Sequence, residues 1–79
     1  MNRVLFDHIA EICEVAREEV TVTVFVYEAR LSGLHYQRLI NQAVSARLVK
    51  NNDGIYRTTK KGETYLTAYH SLQKLLQGQ

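Results

Sequence analysis

The spacing of apolar residues changes along this chain, and the order of the changes outlines a fold. Leu5, Ile9, Ile12, Cys13 and Ala16 recur every three or four positions, with Glu11, Glu14, Arg17 and Glu18 opposite them. That spacing predicts an amphipathic helix over 3–18. His8 sits beside the stripe and reads as a partly buried helix residue. Residues 20–31 carry two signals. VTVTVFV alternates and is β-branched, which argues for a strand, while Val24, Tyr27 and Leu31 mark one helix face. The expectation is a short extended piece at 20–22, with Thr23 capping a helix over 24–31.

Ser32 can cap the next helix through its hydroxyl, and Gly33 permits the change of direction. From 34 to 47 the helical period is clean. Tyr36, Leu39, Ile40, Ala43 and Val44 form an inward stripe continued by Leu48, and His35, Arg38, Gln42 and Ser45 line the opposite face with Gln37 and Asn41 beside them. Leu48-Val49-Lys50 then reads as a strand, Asn51-Asn52-Asp53-Gly54 as a turn, and Ile55-Tyr56-Arg57-Thr58 as the returning strand. Thr59 is placed to cap a last helix over 60–77, where Tyr65, Tyr69, Leu72 and Leu76 form a stripe widened by Leu66 and Leu75.

Helix, turn, helix and hairpin in this order predict a mainly α fold with a small β hairpin (α+β). This is a winged helix-turn-helix: a three-helix core, a wing and a C-terminal helix suited to dimerisation. The 79 residues read as a single domain, with the helix-turn-helix at about 23–47, the wing at about 48–58 and the last helix at about 60–77. Apolar residues are 46% of the chain, enough for a thin core that pairing would reinforce.

Charge sharpens this picture. The net charge is only +2, yet residues 1–32 hold three basic and six acidic groups, and residues 33–79 hold seven basic and two acidic ones. Arg38, Arg47, Lys50, Arg57, Lys60 and Lys61 crowd the second helix of the motif, the hairpin and the start of the last helix. A basic patch on a near-neutral chain is the footprint of a polyanion partner, although a solvated basic face has the same composition. The outer face of helix 34–47 carries no carboxylate. Arg matches guanine in the major groove, and Asn or Gln matches adenine. The expected base-reading residues are therefore His35, Gln37, Arg38, Asn41, Gln42 and Ser45. Lys50, Asn51, Asn52, Arg57, Lys60 and Lys61 suit phosphate contacts around the wing, and Asp53 suits the turn.

Other chemistries find little purchase. The lone Cys13 forms no intrachain disulfide and fits a reducing cytoplasm. His8, His35 and His70 lack metal-ligand spacing, and the isolated glycines form no phosphate loop. No enzyme activity, cofactor, metal, small-molecule ligand or membrane span is expected. The N-terminus, with Asp7 and Glu11 in its apolar part, does not read as a signal peptide.

The run FVYEARLSGLHYQRLINQAVSARLV, followed by a hairpin and YRTTKKGETYL, resembles the small archaeal winged helix-turn-helix DNA-binding proteins, over residues 22 to about 72. Its specific parts are Tyr27-x-Ala29-x-Leu31-Ser32 and Tyr56-x-x-Thr59-x-x-Gly62-x-x-Tyr65-Leu66. The resemblance implies a homodimer joined by an antiparallel coiled coil of the last helix, and a role as a regulator or chromatin-type protein in the cytoplasm, associated with the nucleoid. This chain departs from that pattern in its short last helix and low net charge, which favour a local transcriptional regulator over an architectural DNA-coating protein. The dimer seam would be Tyr65, Tyr69, Leu72 and Leu76; the same stripe could instead cover the first helix of its own chain. The alternative to double-stranded DNA as partner is a protein-docking winged helix, which would need apolar residues on the outer face of helix 34–47.

Overall fold

The computed structural model describes residues 3–28 and 35–77. The elements run α1 (Arg3–Ala16), β1 (Val20–Thr21), α2 (Val22–Glu28), α3 (His35–Ser45), β2 (Val49–Asn52), β3 (Ile55–Thr58) and α4 (Lys60–Gln77). The expected turn at Ser32 and Gly33, and Leu31 with it, lie outside the described residues.

The α1 stripe folds as its period requires. Ile12, Cys13 and Ala16 are fully buried, joined in one core by Ile9, Ala10, Phe25, Ile40, Ala43, Leu48, Val49, Tyr56 and Leu66. The helix stops two residues short of the expected end. The amides of Arg17, Glu18 and Glu19 bond back to the carbonyls of Glu14, Val15 and Ala16, and Glu19 takes a left-handed backbone with φ 58°.

The ambiguous segment divides differently from expectation. Only Val20 and Thr21 are extended, and α2 starts at Val22, so Thr23 lies inside the helix rather than capping it. The Thr21 hydroxyl takes the capping place, 3.5 Å from the Val24 amide. Burial overrides the β-branched propensity here. Phe25 is fully buried, with its ring edge-on to Tyr56 at 5.3 Å.

The two extended residues have a tertiary partner. β1 pairs antiparallel with β3 (Val20 with Tyr56, Thr21 with Ile55), giving a three-stranded sheet in the order β1-β3-β2 rather than a bare hairpin. The hairpin loop is tighter than expected. Asn51 and Asn52 belong to β2, and Asp53 and Gly54 alone turn the chain, with φ 52° and 85°. Two positive φ values are what a two-residue type I′ hairpin needs.

α3 ends in a Schellman motif: Leu48 N bonds to Ala43 O, Arg47 N bonds to Val44 O, and Arg47 is left-handed with φ 65°. The start of α4 closes onto that corner. Thr59 caps α4 as expected, its hydroxyl accepting from the Gly62 amide at 3.1 Å while lying 2.6 Å from the Arg47 carbonyl. Its own amide donates to Leu48 O at 3.0 Å, and Lys61 Nζ donates to Ala46 O at 2.9 Å. Gly62 has no side chain to keep the backbones apart; a Cβ there would stand 2.2 Å from Leu48 O and 2.6 Å from Thr58 Cγ2.

Gly62→Ala is therefore expected to destabilise the fold by about 1–3 kcal/mol, as overpacking does, measured by urea or thermal unfolding. The opposite sign, the gain of up to ~1 kcal/mol that Ala ordinarily brings to a helix interior, would refute this close approach.

Candidate nucleic-acid interface

On α3 the inward stripe is anchored by Ile40 and Ala43, both fully buried, with Tyr36, Leu39 and Val44 partly buried beside them. That leaves Gln37, Arg38, Asn41, Gln42 and Ser45 exposed. His35 opens the helix, but its side chain lies outside those described. Gln37 Nε2 donates to Asn41 Oδ1 at 3.0 Å, which holds the two amides side by side along the outer face. Arg38 makes no ion pair with any described residue.

The cations around the wing fall into two groups. Lys50 and Lys60 are exposed and pair with no described carboxylate. Lys61 is committed to closing the α3 corner through Ala46 O. Arg57 Nη1 lies 3.2 Å from Glu19 Oε2. Arg47, which the sequence pattern did not single out as a site residue, is exposed at the end of α3 and also pairs with no described carboxylate. Its only sequence signal was its place in the basic run from 38 to 61.

The wing asparagines differ in role. Asn51 Oδ1 accepts from the Gly54 amide at 2.9 Å, and its Nδ2 reaches Tyr56 Oη at 3.5 Å, so this side chain braces the turn. Asn52 is exposed.

The expected dimer seam on α4 is divided. Tyr65 Oη donates to Phe6 O at 2.8 Å and Tyr69 Oη to Asp7 Oδ1 at 2.5 Å, so both rings lie against α1 of their own chain. Burial pushes the Tyr65 phenol up to about 12. Beyond them Leu72, Leu75 and Leu76 are 60%, 78% and 73% exposed. Arg17 ties the same two helices, bonding Glu14 and Glu63 at 3.1 and 3.0 Å.

An open groove of about 280 Å³ runs between α1 and α4, lined by Asp7, Glu11, Glu14, Tyr69, His70 and Gln73 among others. Its charge is opposite in sign to that of the α3 face and wing. Cys13 lies fully buried, and burial pushes its thiol up to about 12, so it stays protonated and unreactive at neutral pH.

Residues 2–77, nearly the whole chain, match the winged helix-turn-helix family model. The chain belongs to the winged helix-turn-helix family. No curated protein matches it. In this winged helix α3 is the second helix of the motif and β2–β3 is the wing, with β1 completing the sheet. Among the described residues no group of His, Cys, Asp or Glu could hold a metal ion, and no helix is long and apolar enough to cross a membrane.

Glu19 is a residue that sequence patterning did not assign to the site. A left-handed backbone outside Gly costs on the order of 1 kcal/mol. A carboxylate beside a helix C-terminus also meets the negative end of the helix dipole. The exposed ion pair with Arg57 offsets this by only about 0–1 kcal/mol.

Proposed function

We propose that this winged helix binds double-stranded DNA as a transcriptional regulator, with α3 in the major groove and the wing on the backbone. The observation that carries the reading is the outer face of α3. It is exposed and polar and carries no carboxylate; its Arg38, and the flanking cations Arg47, Lys50 and Lys60, pair with no carboxylate among the described residues. The amides of Gln37, Asn41 and Gln42, with Ser45 and His35, supply groups of the kind that read base edges. Arg47, Lys50 and Lys60 supply phosphate contacts; Asn52 at the wing and Arg57 and Lys61 near it add to them. A docking winged helix would present apolar residues on this face, and among its described side chains none is exposed.

The exposed Leu72, Leu75 and Leu76 support a homodimer through the distal half of α4. Their apolar surface gains from burial in a second copy. Tyr65 and Tyr69, already held by α1, stand at the edge of that seam. A nucleoid location in the cytoplasm follows from the DNA partner.

Affinity for duplex DNA is expected to fall about a hundredfold between roughly 50 and 200 mM salt, as the counterions displaced at about four phosphates return. Salt-independent binding, or none at low salt, would sink the reading. Arg38→Ala is expected to cost about 1–3 kcal/mol of binding, with Lys74→Ala near neutral; equal losses would move the site off α3. In sedimentation, wild type should run as a dimer and Leu72→Ser/Leu76→Ser as a monomer. A monomeric wild type at micromolar concentration would remove the dimer.

A further inference from the structure

Three charges meet on the outer face of the sheet. Lys50 lies opposite Arg57 in the register of β2 and β3, and Glu19, the residue before β1, reaches Arg57 from the other side, so the three charges stand side by side. Tyr56 is buried, and its neighbour Arg57 is exposed on the other side of the pleat. From Glu19 to Lys50 the order is negative, positive, positive. Arg57 at the centre pairs with Glu19 at 3.2 Å, with both side chains more than half exposed at 67% and 53%.

Glu19 stands where backbone and dipole disfavour it. The left-handed end of a helix favours Gly or Asn, and the helix C-terminus favours a cation, as Arg47 provides at the end of α3. A carboxylate at this corner therefore does not serve the stability of the turn. Its consequence is electrostatic: it neutralises one of the two cations on the outer face of the wing and leaves the other.

We propose that Glu19 is an electrostatic brake on the wing, a residue that holds down its sequence-independent grip on the DNA backbone. The proposal rests on the DNA-binding reading above. For Arg57 to grip a phosphate, its guanidinium must leave Glu19, and the released carboxylate then faces the polyanion. Both effects weaken backbone contacts, which are alike for every sequence, and leave base contacts from α3 untouched. A weaker backbone grip lowers affinity for every duplex alike, and discrimination between sequences stays with α3.

The test is a salt titration with a random-sequence duplex as probe. Glu19→Gln should bind more tightly than wild type at low salt. Its slope of log affinity against log salt should steepen by about 0.9, one further phosphate. The advantage over wild type then shrinks about threefold between roughly 50 and 200 mM. Glu19→Gly should show the same steepening with a raised Tm, since Gly suits the left-handed corner. Glu18→Gln makes the same change in net charge one residue away, at a carboxylate with no ion pair among the described residues, and should leave the slope where it is. In an Arg57→Gln background, Glu19→Gln should leave the slope unchanged and gain less than it does in wild type. An unchanged slope for Glu19→Gln, an equal gain from Glu18→Gln, or a steepening that survives the loss of Arg57 overturns the brake while DNA binding stands. A wild-type chain that binds no duplex at low salt overturns both.

Discussion

The contact on which the rest of this molecule depends is the approach of the first turn of α4 to the carbonyl of Leu48. Gly62 lets two backbones meet where any Cβ would collide. Thr59 serves both sides of the contact, capping α4 through its hydroxyl and bonding Leu48 O through its amide. Lys61 donates from the same turn to the carbonyl of Ala46, just past the end of α3. The end of the motif's second helix, the first residue of the wing and the start of the last helix are thereby one rigid corner. The geometry between α3 and the wing is set there rather than in the wing itself.

Electrostatics divide the surface along the same frame. Carboxylates of α1 line a groove against α4, where Arg17 bridges Glu14 and Glu63. Cations without an ion pair among the described residues gather on α3 and around the wing. Exposed pairs of this kind add little to folding, so their significance lies in the field they leave. The hydrogen bond to Glu14, then the negative charge of Glu63 and the hydrogen bond to it, raise the affinity of Arg17 for its proton, though it is charged at any physiological pH. The pair between Glu19 and Arg57 differs because it sits among the cations and subtracts from them.

Much of the fold was legible because several levels of pattern agreed. The α3 stripe, a turn within Asn51–Gly54 and the Thr59 cap each follow from local chemistry, and the core agrees with the stripe: Ile40 and Ala43 are inside and Gln37, Arg38, Asn41, Gln42 and Ser45 are outside. Where local signals conflicted the boundary moved. VTVTVFV has strand propensity, and the expected short strand at 20–22 with a helix from 24 became a strand at Val20–Thr21 and a helix from Val22, with Phe25 buried against Tyr56. On α4, periodicity made one stripe of Tyr65, Tyr69, Leu72 and Leu76; whether each residue meets α1 or solvent depends on where α1 runs out.

The sequence by itself determined which residues face in and which face out, where the chain turns, and that the positive charge gathers on one segment. Those are properties of near neighbours, set by helical and strand periods and by the backbone freedom of Asp, Asn and Gly. Only the tertiary structure decided which charges are spent on the protein itself. Glu19 meets Arg57 across 38 positions, Lys61 meets a helix end, and Tyr65 and Tyr69 meet α1. Such pairings join residues distant in sequence. They follow from how strands register and helices cross, and no local pattern in the chain encodes them.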